Sequence, residues 1–257
     1  LIQHYVVINK SMSNKLLDGL IKDLDSLNQQ NTIKVVVPSS GEEVEFSLFN
    51  VSQHKDLMKT AFDGYEGVVK SSCVYNNIIA NNSSVDYDFS LADKTYIIVQ
   101  LRKESLGDKY DAGNDAVYSL NDLPEPQHDF KYEDTLEYKD ITVNLKIPTL
   151  KRDTAVSNKL LNELSRFTDK QKETELINTA LTYEIIKFIK SIQIGENTLE
   201  FDEFNLNDSK KLVSMLPLKL NNLIIEWIAD FRKKEESNIK FDDEVMVEID
   251  ASFLISD

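Results

Sequence analysis

Tyr138-Lys139-Asp140-Ile141-Thr142-Val143-Asn144-Leu145-Lys146-Ile147 decides the fold class. Ile141, Val143, Leu145 and Ile147 alternate with Thr142, Asn144 and Lys146, and residues two apart share one face of a strand. The stretch is therefore a half-buried strand. Just before it, Asp129-Phe130-Lys131-Tyr132-Glu133 offers an extended partner, so the pair forms a hairpin or small sheet. Leu123-Pro124-Glu125-Pro126 excludes regular helix further upstream, because proline lacks an amide donor and holds its predecessor extended. Helical periodicity flanks this strand on both sides, which makes the chain α+β.

Upstream, a helix covers about 90–106, with Ala92, Tyr96, Val99 and Lys103 on one line and Gly107 as its stop. Another covers about 66–80 through Val69, Cys73, Asn76, Asn77 and Ala80, and a shorter one, 52–62, opens on Ser52. Before them, Ile33 to Val37 and Val44 to Phe49 alternate as two strands around the Pro38-Ser39-Ser40-Gly41 turn. An amphipathic helix from Ser13 to Leu27 places Leu16, Leu17, Leu20, Leu24 and Leu27 at helical spacing, capped by Ser13 or Asn14.

Downstream, helical patterns run from Ser157 to Phe167, Glu173 to Ile192, about 206 to 216, and Leu218 to Lys234. The longest packs through Leu176, Ala180, Tyr183, Ile185, Ile186 and Ile189, and Gly195 breaks it before the short extended piece 198–201. Val245, Val247 and Ile249 then alternate as a terminal strand. The expected layout is a strand-and-helix extension over 1–31, an α+β region with the hairpin, helices and small sheet over 32–150, and a mainly helical region over 151–257.

Composition narrows the function classes. Among 257 residues, 41% are hydrophobic and 28% charged, the balance of a globular domain long enough to bury a core. No apolar run approaches the roughly 20 residues that span a bilayer. Leu1 to Ile8 is apolar but lacks a basic flank and a cleavage site, so it does not read as a signal peptide. The numbering opens on Leu1 rather than methionine, as it would inside a longer chain. A net charge of -15, with Lys-rich segments interleaved by Asp and Glu, argues against nucleic acid as a partner. One cysteine, Cys73, permits neither an intramolecular disulfide nor a cysteine zinc cage and fits a reducing cytoplasm. Its small, apolar neighbours favour a buried structural thiol over a nucleophile.

Three histidines, His4, His54 and His128, are too few and too scattered for the H-E-x-x-H zinc helix. His128 reads as a loop residue and His54 as helix surface or packing. The chain has no phosphate-binding glycine loop and no nucleophile elbow. Asp63-Gly64-Tyr65-Glu66-Gly67 and the acidic run from Asp108 to Asp115 lack the register of a calcium loop and read as turns. The carboxylate pairs Glu42/Glu43, Glu235/Glu236 and Asp242/Asp243 read as solvated faces. Trp227 reads as core, and Tyr132 and Tyr138 lack the basic groove that base stacking needs. The expectation is a protein with no catalytic residues, cofactor or metal; a carboxylate-based metal-dependent enzyme is the alternative from a different class.

Several runs carry a family likeness. Val37-Pro38-Ser39-Ser40-Gly41 through Val51 resembles the opening hairpin of T-even-like phage baseplate proteins, and Tyr96 to Gly107 resembles their L-R-x-x-S-x-G helix end. Ile147-Pro148-Thr149-Leu150 is similar to their P-T exit, followed by matches over Thr182 to Ile192 and at Leu216-Pro217-Leu218. The likeness runs in order over about 33–257, without the middle-sheet cysteines of some members and with an added N-terminal segment. That family includes both hub components and hub-assembly factors. The resemblance implies a structural or chaperone-like protein of the central baseplate hub, in the virion tail, assembled in the host cytoplasm, with other hub or tail proteins as partners.

Overall fold

A computed structural model describes residues 19–22, 24, 31–112, 116–126, 129–167, 169–201, 205–242, 245–250 and 252–254. Residues 19–22 and 24 are helical and exposed; Leu16, Leu17 and Leu27 of the expected first helix lie outside the described residues.

The hairpin forms as its alternation predicts. Strands β1 (Thr32–Val36) and β2 (Glu43–Ser47) pair antiparallel, with Val35, Val44 and Phe46 turned into the core. Gly41 takes a φ of 70°, a left-handed value at which a Cβ is strained, and closes the turn with its amide on Val37 O at 2.8 Å. Helices α1 (Val51–Thr60), α2 (Gly67–Asn82) and α3 (Leu91–Leu106) follow. The first is capped by Asn50, not Ser52: Asn50 and Gln53 exchange side-chain-to-backbone bonds in a capping box. On α2, Asn77 and Ala80 are exposed while Ser71, Tyr75 and Asn82 are buried, so its inner face is rotated from the expected line. Gly67 lets α2 start beside α1, since a Cβ there would sit 2.5 Å from Thr60 O.

The acidic segment after α3 holds a short hairpin, β3 (Lys109–Asp111) with β4 (Val117–Ser119), where only turns were expected. Asp108 accepts from Ser119 Oγ at 2.6 Å and Asn121 Nδ2 at 2.9 Å, which pins that hairpin and holds its carboxyl below the usual range.

The middle sheet has four antiparallel strands in the order β5 (Glu133–Tyr138), β6 (Ile141–Lys146), β7 (Ile189–Ile194), β8 (Asn197–Glu200). Helices α4 (Leu150–Leu164) and α5 (Asp169–Phe188) form the connection between β6 and β7. The expected long helix to Ile192 therefore stops at Phe188, and Ile189 onward becomes an inner strand of the sheet. The reason lies in α4. The Arg152 guanidinium donates to Lys187 O at 3.0 Å, Ile186 O at 2.8 Å and Ile189 O at 3.2 Å, satisfying the carbonyls that end α5. Helices α6 (Leu206–Ser214) and α7 (Leu218–Ser237) are bent by 117° at Pro217, which cannot donate an amide bond. Among the described residues the expected terminal strand is reduced to one bridge, Lys240 with Met246, although Val247 is buried as its alternation suggests. A single apolar cluster runs from Val35 in β1 through Val143, Leu145 and Ile192 of the sheet to Phe231 in α7 and Leu254.

Candidate functional site

Three of the runs that carry the family likeness, the hairpin, the helix end and the P-T exit, hold fasteners of the backbone. Ser39, at the hairpin tip, donates its amide and hydroxyl to Asp93 of α3 at 2.8 and 2.7 Å. Asp93 is fully buried and also accepts from the Ser90 amide at 3.0 Å, so one carboxylate joins hairpin turn to helix start. In the L-R-x-x-S-x-G run, Leu101 is core and Ser105 Oγ accepts from Phe49 N at 3.1 Å. Arg102 of the same run donates to Gly107 O and Lys109 O beyond the helix end. Gly107 itself takes a φ of 95°, open to glycine alone at little cost. Thr149 caps α4, and Leu91 N reaches Pro148 O at 2.8 Å. Side chains of these three runs thus tie segments of the chain to one another.

The densest chemistry lies between α2, α3, α4, α5 and α7, and takes Glu184 and Lys187 from the family-like run Thr182 to Ile192. Asp153 of α4 pairs with Lys187 of α5 at 2.7 Å, Lys187 with Glu184 at 3.2 Å, Glu184 with Arg232 of α7 at 2.6 Å, and Arg232 with Glu235 at 2.6 Å. Asn76 of α2 adds a bond from its Nδ2 to Asp153 Oδ2 at 2.7 Å. Asp153 is 2% exposed, and Lys187 and Glu235 are 9% exposed, whereas the Glu184 and Arg232 side chains keep 26% and 38%, so the ladder is buried at its two ends and at Lys187 and half-buried between. Burial opposes the charge of each member, and its partners decide the outcome. At Asp153, burial would raise the carboxyl, yet Lys187 and Lys94 hold it at about 2. At Lys187, Glu184 and Asp153 outweigh burial and push the ammonium up; at Glu184, Lys187 and Arg232 outweigh it and hold the carboxyl down. Glu235 goes the other way, because burial exceeds the pull of Arg232.

A cavity of about 460 Å³ opens against this ladder, with Ser71, Ser72 and Tyr75 of α2 and Lys94 and Thr95 of α3 on one side. Lys94 Nζ donates to Ser72 O at 3.0 Å and Ser72 Oγ at 2.6 Å. Burial drops its ammonium to about 8. The ladder's cations and carboxylates bind one another, which suits a clamp across helices better than acid–base chemistry. Among the described residues, no group of three or more His, Cys, Asp and Glu could hold a metal ion.

The side chains singled out in the sequence are scattered. Cys73 is buried in α2, and desolvation together with Asp153 pushes its thiol up. His54 is half-buried on α1; His4 and His128 lie outside the described residues. Glu43 is exposed and paired with Lys34 across the hairpin at 2.7 Å, while Glu42 and Asp242 are exposed. Asp243 lies outside the described residues. Glu235 corrects the expectation of a solvated face, because it closes the ladder; Glu236 lines the cavity. Asp63 and Glu66 both reach Lys70 at 3.2 Å in a turn. Trp227 lies edge-on to Phe188 at 5.9 Å. Tyr132 is half-buried, its phenol pushed up to about 12 by burial, and Tyr138 stacks with Lys139 and Lys219. The ladder escaped the sequence reading. Its only local signals are the Glu184/Lys187 and Arg232/Glu235 pairs, each three apart on a helix.

No single described helix is long and apolar enough to cross a membrane. No curated protein and no solved structure matches the chain. A family model described as T4 bacteriophage base plate protein matches residues 30–244, from the start of the hairpin to the segment after α7. With the match spanning both the hairpin fasteners and the ladder, the chain belongs to the T4 bacteriophage base plate protein family.

Proposed function

We propose that this baseplate protein is a structural component of the central hub, acting through protein contacts rather than catalysis. The observation that carries this reading is that side chains of the family-like runs tie the chain to itself: Ser39 binds Asp93, Arg102 donates to Lys109 O, Ser105 accepts from Phe49 N, Thr149 caps α4, and Glu184 and Lys187 pair within the ladder. A fold maintained by such ties presents fixed surfaces, and large apolar side chains stand on them: Phe62 is 85% exposed, Met215 81%, Val68 75% and Leu218 74%. Other hub or tail proteins are the natural cover for such groups during assembly, in the cytoplasm of the host and then in the tail.

Quantitative mass spectrometry of purified tails tests the proposal. A fixed stoichiometry with hub proteins is expected. Absence from finished tails, together with co-purification with hub proteins from infected cells, would replace the component by a transient hub-assembly chaperone.

A further inference from the structure

After α7 the chain runs back over α2, α3 and the β3–β4 hairpin as a strap, described over residues 245–250 and 252–254; its start pairs with the segment just after α7, Phe241 N on Val245 O and Val247 N on Ile239 O, both at 2.8 Å. Three side chains of the body bind this strap by its main chain. Tyr75 Oη donates to Asp250 O at 2.6 Å, Arg102 Nε donates to Phe253 O at 3.0 Å, and Tyr110 Oη accepts from Glu248 N at 2.9 Å. Val247, Phe253 and Leu254 anchor the strap, each at most 3% exposed, and the Phe253 ring lies 5.9 Å from the Arg102 guanidinium and 6.1 Å from the Tyr110 ring. Ile249 and Asp250 also wall the 460 Å³ cavity, opposite Ser72 and Lys94. The family match ends at residue 244, so the strap lies beyond the matched fold.

Recognition of carbonyls and an amide is independent of side-chain identity, and pockets for a few apolar anchors add selectivity; main-chain-reading peptide sites work this way. We propose that the trough formed by Tyr75, Arg102 and Tyr110 is a docking site for an extended peptide, filled in the isolated chain by its own strap. The partner it fits is an extended acidic segment of another protein with an aromatic anchor, the chemistry of Val247-Glu248-Ile249-Asp250 and Phe253. The strap competes in cis, so a partner's apparent affinity falls by the fraction of chains whose strap is open. Displacement also removes one wall of the cavity. None of this depends on the hub assignment, because it is measured on the purified chain.

The test pairs a chain ending at Glu244 with a labelled synthetic peptide of residues 245–257. Circular dichroism checks the fold, and fluorescence anisotropy should show the peptide binding the shortened chain at least about tenfold more tightly than the intact one. Tyr75→Phe and Tyr110→Phe in the shortened chain should each weaken that binding. A folded shortened chain that does not bind the peptide overturns the proposal, as does equal binding to the intact chain. If the shortened chain does not fold, hydrogen exchange on the intact protein decides. The Val247 and Glu248 amides should exchange about tenfold or more faster than those of the β6–β7 ladder, and equal protection would mean that the strap opens only with the whole fold.

Discussion

The hairpin side and the helical side of the molecule are fastened by different physics. Around β1, β2 and α3, single side chains serve main-chain groups: Asp93 takes two amides and a hydroxyl, Ser105 takes Phe49 N, and Asn82 Nδ2 reaches Ser47 O at 2.9 Å. Across α4, α5 and α7 the fasteners are ionised side chains bound to one another, Asp153 to Lys187 to Glu184 to Arg232 to Glu235. A carboxylate that accepts amide protons meets groups already fixed by the backbone. The ladder offsets the desolvation of its buried members, Asp153, Lys187 and Glu235, only while their partners are present, so it is the more fragile of the two.

The largest expected effect follows from that. Lys187→Ala removes the ion-pair partner of the buried Asp153 while Glu184 keeps Arg232, and about 3–5 kcal/mol of stability should be lost. Urea denaturation reads the loss directly. Replacing Asp153 and Lys187 together by Leu and Met should cost much less than Lys187→Ala alone, because no charge is left unpaired. A single-variant cost below about 1 kcal/mol would put the ladder in the class of surface pairs and erase the contrast.

Asp93→Ala should come next, at about 2–3 kcal/mol, because it strands the Ser39 and Ser90 amides without charging the interior. If this variant is the more damaging, the hairpin side is the stronger dependence and the comparison is reversed.

The same contrast explains what the sequence revealed. The hairpin, the Gly107 stop and the Pro217 break were legible because each is set by residues within one turn of the chain. The cap of α1 was misplaced by two residues, since Ser52 and Asn50 are both good capping types and only the Gln53 reciprocal bond decides between them. Strand β7 was hidden for a deeper reason. Ile185, Ile186, Ile189 and Ile192 fit a helical stripe as well as they fit a strand, and no Gly or Pro marks the change at Phe188. The marker is Arg152, 35 residues before Lys187, and its partners are carbonyls that carry no sequence signal. The ladder is illegible in the same way. Its local halves are ordinary i,i+3 pairs, and burial alone turns Glu235 from a solvated carboxylate into a rung.

Acid should separate the two sides further. Asp153 has a folded value of about 2 against an ordinary 3.8, so its stabilisation is fully present above the ordinary value and is lost as pH falls toward 2. That difference corresponds to about 2 kcal/mol, and Glu184, also held down, adds to it in the same direction. Glu235 opposes them: its folded value lies above 4.5, so acidification through that window protonates the native state first and stabilises it. Denaturation midpoints between pH 5 and 2 should therefore fall steeply in the parent and less in Asp153→Asn, while Glu235→Gln should lack the gain the parent makes as pH falls toward 4.5. An unchanged slope in Asp153→Asn would assign acid sensitivity to the hairpin side instead.

The smallest effect concerns Lys94, which stands beside the ladder without a rung of its own. Burial holds its folded value near 8 against an ordinary 10.5, so the charged ammonium is a destabilising presence at neutral pH. Between those two values the unfolded chain keeps the proton that the native state has released, and stability must rise with pH across that window. The bonds to Ser72 O and Oγ and the partial exposure of the side chain moderate the gain, leaving on the order of 1 kcal/mol. Lys94→Met should thus be slightly more stable than the parent at pH 7, with the advantage gone by about pH 10, where the parent's lysine is neutral in the fold. A variant that is less stable at every pH would mean that the Ser72 bonds outweigh the buried charge. Lys94 would then belong with Asp93, as one more side chain that serves the backbone.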